Sequence, residues 1–373
     1  MIHIDKVEII KISIPLLKPM VTGFGAVHTR NSLLFKVYSG SVFGIGEAPV
    51  LNEPLYNHET PDSAYSFLKK VAAPLLKQTD FEHPDNFSDR LTPFRGNYFA
   101  KSAAVCAVYD LFAKLSNTRI VDLISGSKSE ATISRTISVH EKIEDTLAEA
   151  QAHIDSGAIY LKLKIKPGHD IDPSIALKKA FPQAILMLDA NSAYVLNQET
   201  ISIFRKLDEL DLYCIEQPLQ QNDLIDHAKL QSQIKTSLAL DESIESLYDT
   251  EKAIELGSCK LINIKIPRVG GLTNALRINK KSQEAGIKTW VGGMLESPVG
   301  FYTNLSLATV DNVDYPIDFL GALTYIAEYE KFFAHLPYSI QGDKIHIDIQ
   351  ATGFGMDLDW SVLNSFVSET VTI

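Results

Sequence analysis

Hydrophobic and polar positions change rhythm once along this chain. Residues 2–14 alternate with period two and predict a strand, since successive strand side chains point to opposite faces. Residues 32–38 (SLLFKVY) and 41–47 (SVFGIGE) predict two more, joined at Ser39-Gly40. Between the first two lies Pro15–Asn31, rich in Gly, Thr and Pro and holding Phe24 and His28. It reads as a long loop, and a second loop follows at Pro49–Thr60. Helical spacing then runs through 60–77 and 98–116. Residues 1–127 are therefore expected to form an α+β unit.

From about residue 131 short apolar strands alternate with amphipathic helices. Eight strands are predicted: 133–139, 159–165, 184–189, 211–216, 236–241, 260–265, 287–292 and 314–318. Helical runs between them include 147–156, 199–209, 223–234 and 272–284. Regular βα units give parallel strands with right-handed crossovers, and eight of them suggest a closed (β/α)8-type, TIM-like barrel over 128–330. An open doubly wound sheet normally has a glycine-rich turn after its first strand, and none is present. The segment 331–373 holds one more apparent strand, Lys344–Ile349, and is expected to return to the first domain.

Composition narrows the partners. The formal charge is −11 and the pI about 5.4, which argues against nucleic acid, because phosphate binding needs a basic surface. No stretch approaches the roughly 18 apolar residues of a membrane span, and the N-terminus lacks a signal-peptide pattern, so a cytoplasmic enzyme is expected. Cys106, Cys214 and Cys259 stand far apart, which predicts buried free thiols rather than a disulfide framework. His28 and His140 read as structural or exposed, and His153 and His227 as helix-surface residues. A homo-oligomer is compatible with the sequence, which does not set the number of copies.

The charges at the strand ends carry the chemistry. Strands two to six end in Lys162 and Lys164, Asp189 with Asn191, Glu216, Asp241 with Glu242, and Lys265. Strand seven runs into Gly293, Met294 and Glu296, and strand eight ends near Asp318. In a barrel these ends share one mouth. Three neighbouring carboxylates repel one another unless a cation sits among them, and oxygen-only donors suit Mg²⁺, with Mn²⁺ as the second choice. A substrate carboxylate bound there would become an electron sink for loss of its α-proton. Lys164 is then poised as the base, and Lys265, on the other side of the carboxylates, as acid, second base or cation. Arg268 follows closely on Lys265.

The motifs K-L-K at 162–164, D-A-N at 189–191, I-E-Q-P at 215–218, D-E-S-I at 241–244 and N-I-K at 263–265 resemble the enolase superfamily, in its muconate-lactonising-enzyme-like subgroup. KLKIKPGHD, LDANSAYVL and INIKIPRVGGL are most similar to o-succinylbenzoate synthases and the N-succinylamino acid racemases among them. The resemblance implies a capping domain whose loops around Pro19–Arg30 and Glu53–Tyr56 cover a small carboxylate substrate. It implies Lys164 as the base, Lys265 as the cation against an enediolate or the second base of a racemisation, and Arg268 as a mark of the racemase-containing branch. The 292–296 segment resembles one whose backbone N–H groups receive a distal succinyl carboxylate. Dehydration to o-succinylbenzoate, a step toward menaquinone, is the activity it implies first. Racemisation of an N-succinylamino acid or epimerisation of a dipeptide comes second, and a non-catalytic metal-binding barrel is the remote reading. Two departures stand out. The family's K-P-G-R reads Lys265-Ile266-Pro267-Arg268, and the D-x-D of dipeptide epimerases reads Asp318-Phe319-Leu320.

Overall fold

Alternation near the N-terminus builds strand β1 (Lys6–Thr22), which buries Val7, Ile9, Ile12 and Ile14. It pairs antiparallel with β2 (Gly25–Ser39), which pairs with β3 (Val42–Ala48). The computed structural model describes residues 2–22, 25–78 and 80–373. The stretch Pro15–Asn31, expected as a loop, instead prolongs the first two strands: pairing slips between Pro15 and Met20 and resumes with Met20 opposite Val27. Val and Thr favour extended backbone there, and Pro19, which has no N–H to donate, falls inside the slip. Phe24 lies outside the described residues.

The helical run 60–77 is one rod with a flaw. Pro61–Phe67 and Ala73–Lys77 are α-helical, and the turn between them, Leu68–Ala72, is a π-helix. Pro74 cannot donate back into the preceding turn, which accounts for the widening. Helix Tyr98–Leu115 is buried on nearly all sides. It lies against β3 because Gly44 and Gly46 have no side chain: a Cβ at either would sit 2.1 Å from the helix carbonyl of Ala107 or Ala103. A short helix at Pro84–Leu91 was not foreseen from the pattern.

A short strand β4 (Glu130–Thr132) leads into the barrel. There β5 (Ser134–Ile137), β6 (Tyr160–Lys164), β7 (Ile185–Asp189), β8 (Cys214–Glu216), β9 (Leu238–Leu240), β10 (Leu261–Ile264) and β11 (Lys288–Val291) form one sheet in sequence order. Every neighbouring pair is parallel. Helices fill each interval, so the chain has the barrel-and-cap architecture that the pattern implied.

The predicted eighth strand is reduced to two single bridges, Thr289–Val313 and Ile133–Ile317. These close the wall between β11 and the chain just before β5. Pro316 interrupts the segment and removes a donor from the ladder.

Past the barrel, β12 (Tyr338–Gln341) and β13 (Lys344–Ile347) pair with each other, and β13 also pairs with β4. The last strand, β14 (Val367–Thr372), which the sequence reading missed, pairs antiparallel with β1 of the N-terminal sheet. All three cysteines are buried and free. His227 corrects a surface assignment. It is fully buried, and its Nε2 accepts from Leu219 N at 3.2 Å. No helix among the described residues is long and apolar enough to cross a membrane.

Candidate active site

Strand register brings the charged ends together. Lys164 is the ladder partner of Asp189, and Asp189 of Glu216. Leu161 and Leu163 face the helices in the apolar layer, which turns Lys162 and Lys164 into the barrel. Asp241 follows directly on β9 and Lys265 directly on β10.

The mouth is a dense charge network. Lys162 Nζ contacts Asp189 Oδ2 at 3.2 Å, Glu216 Oε2 at 2.5 Å and Asp318 Oδ2 at 2.5 Å. The contact to Glu216 lacks hydrogen-bond angles, leaving Oε2 with no directed donor. Lys164 Nζ donates to Asn191 Oδ1 at 2.5 Å and to Asp189 Oδ2 at 3.1 Å. Lys265 Nζ donates to Asp241 Oδ2 at 2.8 Å, and Arg268 pairs with Asp241 Oδ1. Asn191 Nδ2 reaches Glu242 Oε1 at 3.4 Å. The carboxylates are thus drawn onto ammonium and guanidinium groups, and no metal cage of three or more side chains is assembled among the described residues.

Electrostatics separates the acids. Burial alone would raise Asp189, but the ammonium groups of Lys162 and Lys164 outweigh it and hold the carboxyl well below the usual range. Glu216 is pushed up to about 8 by burial, and Asp189 and Asp241 act with burial against the pull of Lys162. Burial and Asp241 push Glu242 up to about 7. Burial would lower Lys265, yet Asp241 keeps it firmly protonated. Oxygen donors of this kind, with Glu216 and Glu242 each holding an Oε2 that no hydrogen bond satisfies, fit a hard divalent cation. Such an ion would remove the mutual repulsion that lifts Glu216.

Backbone strain marks the same rim. Asn191, Ser192 and Gln217 have positive φ (40°, 62° and 36°), just past the ends of β7 and β8. Leu295, after strand seven, has φ 56°.

Gly293, Met294 and Leu295 of the 292–296 segment line the cavity, but its donors are partly spoken for: Met294 N donates to Glu296 Oε1 at 2.9 Å. Gly293 is there for room, since a Cβ would lie 2.6 Å from Phe319 Cα. The cavity, about 570 Å³, is bordered by Lys162, Lys164, Asp189, Asn191, Lys265 and Asp318. Glu216, Asp241, Glu242 and Arg268 lie behind that lining, and Arg268 and Glu242 border a second cavity of about 560 Å³.

Three participants escaped the sequence reading. Tyr56, noted only as part of a loop, reaches from the cap so that its Oη accepts from Arg268 at 3.0 Å and Lys265 at 3.4 Å. Asn263 donates to Glu216 Oε1 at 2.8 Å. Gln217 Oε1 accepts from Asp241 N at 2.9 Å, tying the fourth strand end to the fifth. Asn263 lies inside the N-I-K motif, two residues before Lys265 and so on the same inward face, and that spacing could have found it.

Fold and site together define a capped barrel with a lysine–carboxylate mouth, and sequence comparison agrees. The chain belongs to the enolase superfamily: residues 5–125 match the mandelate racemase / muconate lactonizing enzyme N-terminal domain, and 145–362 the enolase C-terminal domain-like family. It is 36% identical to an o-succinylbenzoate synthase from Geobacillus kaustophilus, over 96% of this chain and 94% of that one. It is 37% identical to an N-succinylamino acid racemase from Thermus thermophilus, over 87% of this chain and 88% of that one. A crystal structure of an enolase superfamily member from Listeria innocua superposes with a TM-score of 0.94 at 33% identity, covering 100% of this chain and 99% of the other.

Proposed function

We propose that this protein removes the proton α to a substrate carboxylate and expels water, converting 2-succinyl-6-hydroxy-2,4-cyclohexadiene-1-carboxylate to o-succinylbenzoate, a cytoplasmic step toward menaquinone. The observation that carries the reading is the placement of Lys164 and Lys265 at opposite ends of one carboxylate row. Lys164 is hydrogen-bonded to Asp189 on one side, and Lys265 to Asp241 on the other. The relatives named o-succinylbenzoate synthase support the choice of substrate.

Asp189, Glu216 and Asp241 would hold Mg²⁺, or Mn²⁺ in its place. When bound, the ion supplies positive charge for the substrate carboxylate as the α-proton leaves. Lys164, as the free amine, takes that proton. The resulting ammonium returns a proton to the departing hydroxyl on the same face, so one lysine serves both halves of a syn elimination and water is the second product. The charged Lys265 faces the enediolate from the other side and stabilises it without moving a proton. Lys162 stays a cation, because three carboxylates surround it. Asn191 orients Lys164, and Tyr56 closes over Lys265 from the cap.

A second reading is racemisation of an N-succinylamino acid. The facing lysine pair, the buried Arg268 and the racemase relative favour it. There Lys265 would give or take the proton on its own face. The test is direct. Purified, Mg²⁺-loaded protein should convert the cyclohexadiene to o-succinylbenzoate, and absence of turnover overturns the leading reading. Deuterium entering the α-position of both N-succinylamino acid enantiomers from D₂O supports the second, and exchange into neither removes it.

A further inference from the structure

The two cavities at the mouth differ in the sign of their linings. Among the described residues, Lys18, Arg135, Lys162, Lys164 and Lys265 border the first, against Asp189, Asp318 and Glu149. In the second the balance is reversed: Glu242, Glu245 and Asp249 stand against Arg268. That guanidinium is already paired with Asp241, so its charge is met from the barrel side. The cavities share a wall, since Leu55 and Tyr56 of the cap border both. The wall is tied down at Tyr56, whose Oη accepts from Arg268 at 3.0 Å and from Lys265 at 3.4 Å.

Glu242 connects the second cavity to the carboxylate row. It borders that cavity and not the first. Its side chain is buried, with the residue 6% exposed, and Oε2 has no hydrogen-bond partner. Oε1 accepts from Asn191 Nδ2 at 3.4 Å, and Asn191 N donates to Asp189 Oδ1 at 3.0 Å. Glu242 also follows directly on Asp241. One unsatisfied carboxylate therefore stands between the second cavity and two of the three candidate metal ligands. A cleft lined by one sign of charge concentrates ions of the other sign. Mg²⁺ gives up its waters reluctantly and only to oxygen donors, which the acids and the amide of Asn222 provide along this cavity. No three side chains among the described residues form a cage there, which suits a passage rather than a resting place.

We propose that the divalent cation reaches Asp189, Glu216 and Asp241 through the second cavity, past Glu245 and Glu242, while the anionic substrate enters through the first. Leu55 and Tyr56 keep the two routes apart. The inference rests on the carboxylate row as the metal site, and on neither of the two reactions.

The test is metal kinetics without substrate: stopped-flow binding of Mn²⁺ to the protein, and Mn²⁺ release into excess chelator. Neutralising a charge on the passage, and not at the site, slows entry and exit together. Glu245→Gln should lower both rates by roughly 3- to 10-fold, within the range of electrostatic steering, with Kd held within about 2-fold. Glu245→Lys should slow both further, and Asn222→Trp, which adds bulk to the same cavity, should do so without a change of charge. Lys18→Glu, on the first cavity, should leave both rates unchanged. Unchanged rates in the Glu245 and Asn222 variants overturn the proposal. So does faster Mn²⁺ entry in Lys18→Glu, which would place the passage in the first cavity. A Kd that weakens in step with the entry rate in Glu245→Gln, with exit unchanged, would make Glu245 part of the field at the site and overturn it as well. Wild-type protein that binds no Mn²⁺ by calorimetry would remove the metal site itself and the passage with it.

Discussion

Lys164 and Asp189 are partners across the ladder between β6 and β7, and their side chains meet at 3.1 Å. The same carboxylate is therefore a candidate metal ligand and the neighbour of the candidate base. Lys164→Ala should lower kcat on the order of 10²- to 10⁴-fold, the range for loss of a positioned acid–base group. Binding of o-succinylbenzoate should change far less. A variant with full turnover would remove Lys164 from the mechanism.

Lys265 separates the two activities. In dehydration it serves as a cation, so Lys265→Arg should keep part of the turnover while Lys265→Ala loses it. In racemisation it must exchange a proton, and an arginine does not give up its proton in this range. Lys265→Arg should then abolish α-deuterium exchange into one enantiomer and spare the other. Proton NMR in D₂O with each enantiomer reads this out. Equal activity of the Arg and Ala variants in dehydration would contradict the cation role.

Metal dependence follows from the carboxylate row. Chelation should abolish turnover, and added Mg²⁺ should restore it, with Mn²⁺ also effective. Asp241→Asn should weaken metal binding measured by calorimetry. It should also leave Arg268 and Lys265 without their shared anion, so a fall in thermal midpoint is expected with it. Full activity in the presence of excess chelator would rule out the metal.

The βα rhythm made the barrel legible because strands two to six end in charges and amphipathic helices alternate with the strands. Strand eight was legible in place but not in kind: the chain there bridges at two single points, Val313 and Ile317, and Pro316 cannot be weighed against wall closure from sequence alone. The long hairpin was misread because Gly, Thr and Pro look like a loop until a partner strand satisfies them. β14 was invisible for a related reason. Its side chains are largely exposed, so it lacks the alternation that marks a half-buried strand, and its place is set by the edge of β1. At the mouth, the charged strand ends could be read from spacing. The cap's Tyr56 and the buried link through Gln217 could not, since both depend on contacts between distant segments.

Cap and barrel are joined at Glu47. Its carboxylate accepts from Ser32 Oγ at 2.7 Å, Ser297 N at 3.0 Å, Ser297 Oγ at 2.7 Å and Gly300 N at 2.9 Å. Arg30, fully buried, lies in the field of Glu47 and of Glu296, and burial lowers its pKa to about 10. Glu47→Ala removes the acceptor of four donors and leaves that guanidinium with a weaker counter-charge. Breaking such a buried arrangement costs about 3–5 kcal/mol. Urea unfolding should show a loss of that order, and one under about 1 kcal/mol would mean that water replaces the carboxylate.

Gly293 borders the cavity and is packed against Phe319. An added methyl would lie 2.6 Å from Phe319 Cα and 2.8 Å from Phe319 Cβ. Phe319 cannot retreat easily, because it is buried edge-on against Phe301 with ring centroids 5.4 Å apart. In Gly293→Ala the 292–296 segment must therefore move instead, at a cost of about 1–3 kcal/mol for an overpacked contact. Met294 and Leu295, which border the cavity, move with it. Lys164, Asp189 and Lys265 stand on other strands and keep their contacts. The expected result is a raised KM with kcat held within a few-fold, and a lowered thermal midpoint. A fall in kcat with unchanged KM would show that strand seven bears on the chemistry itself rather than on how the substrate is seated.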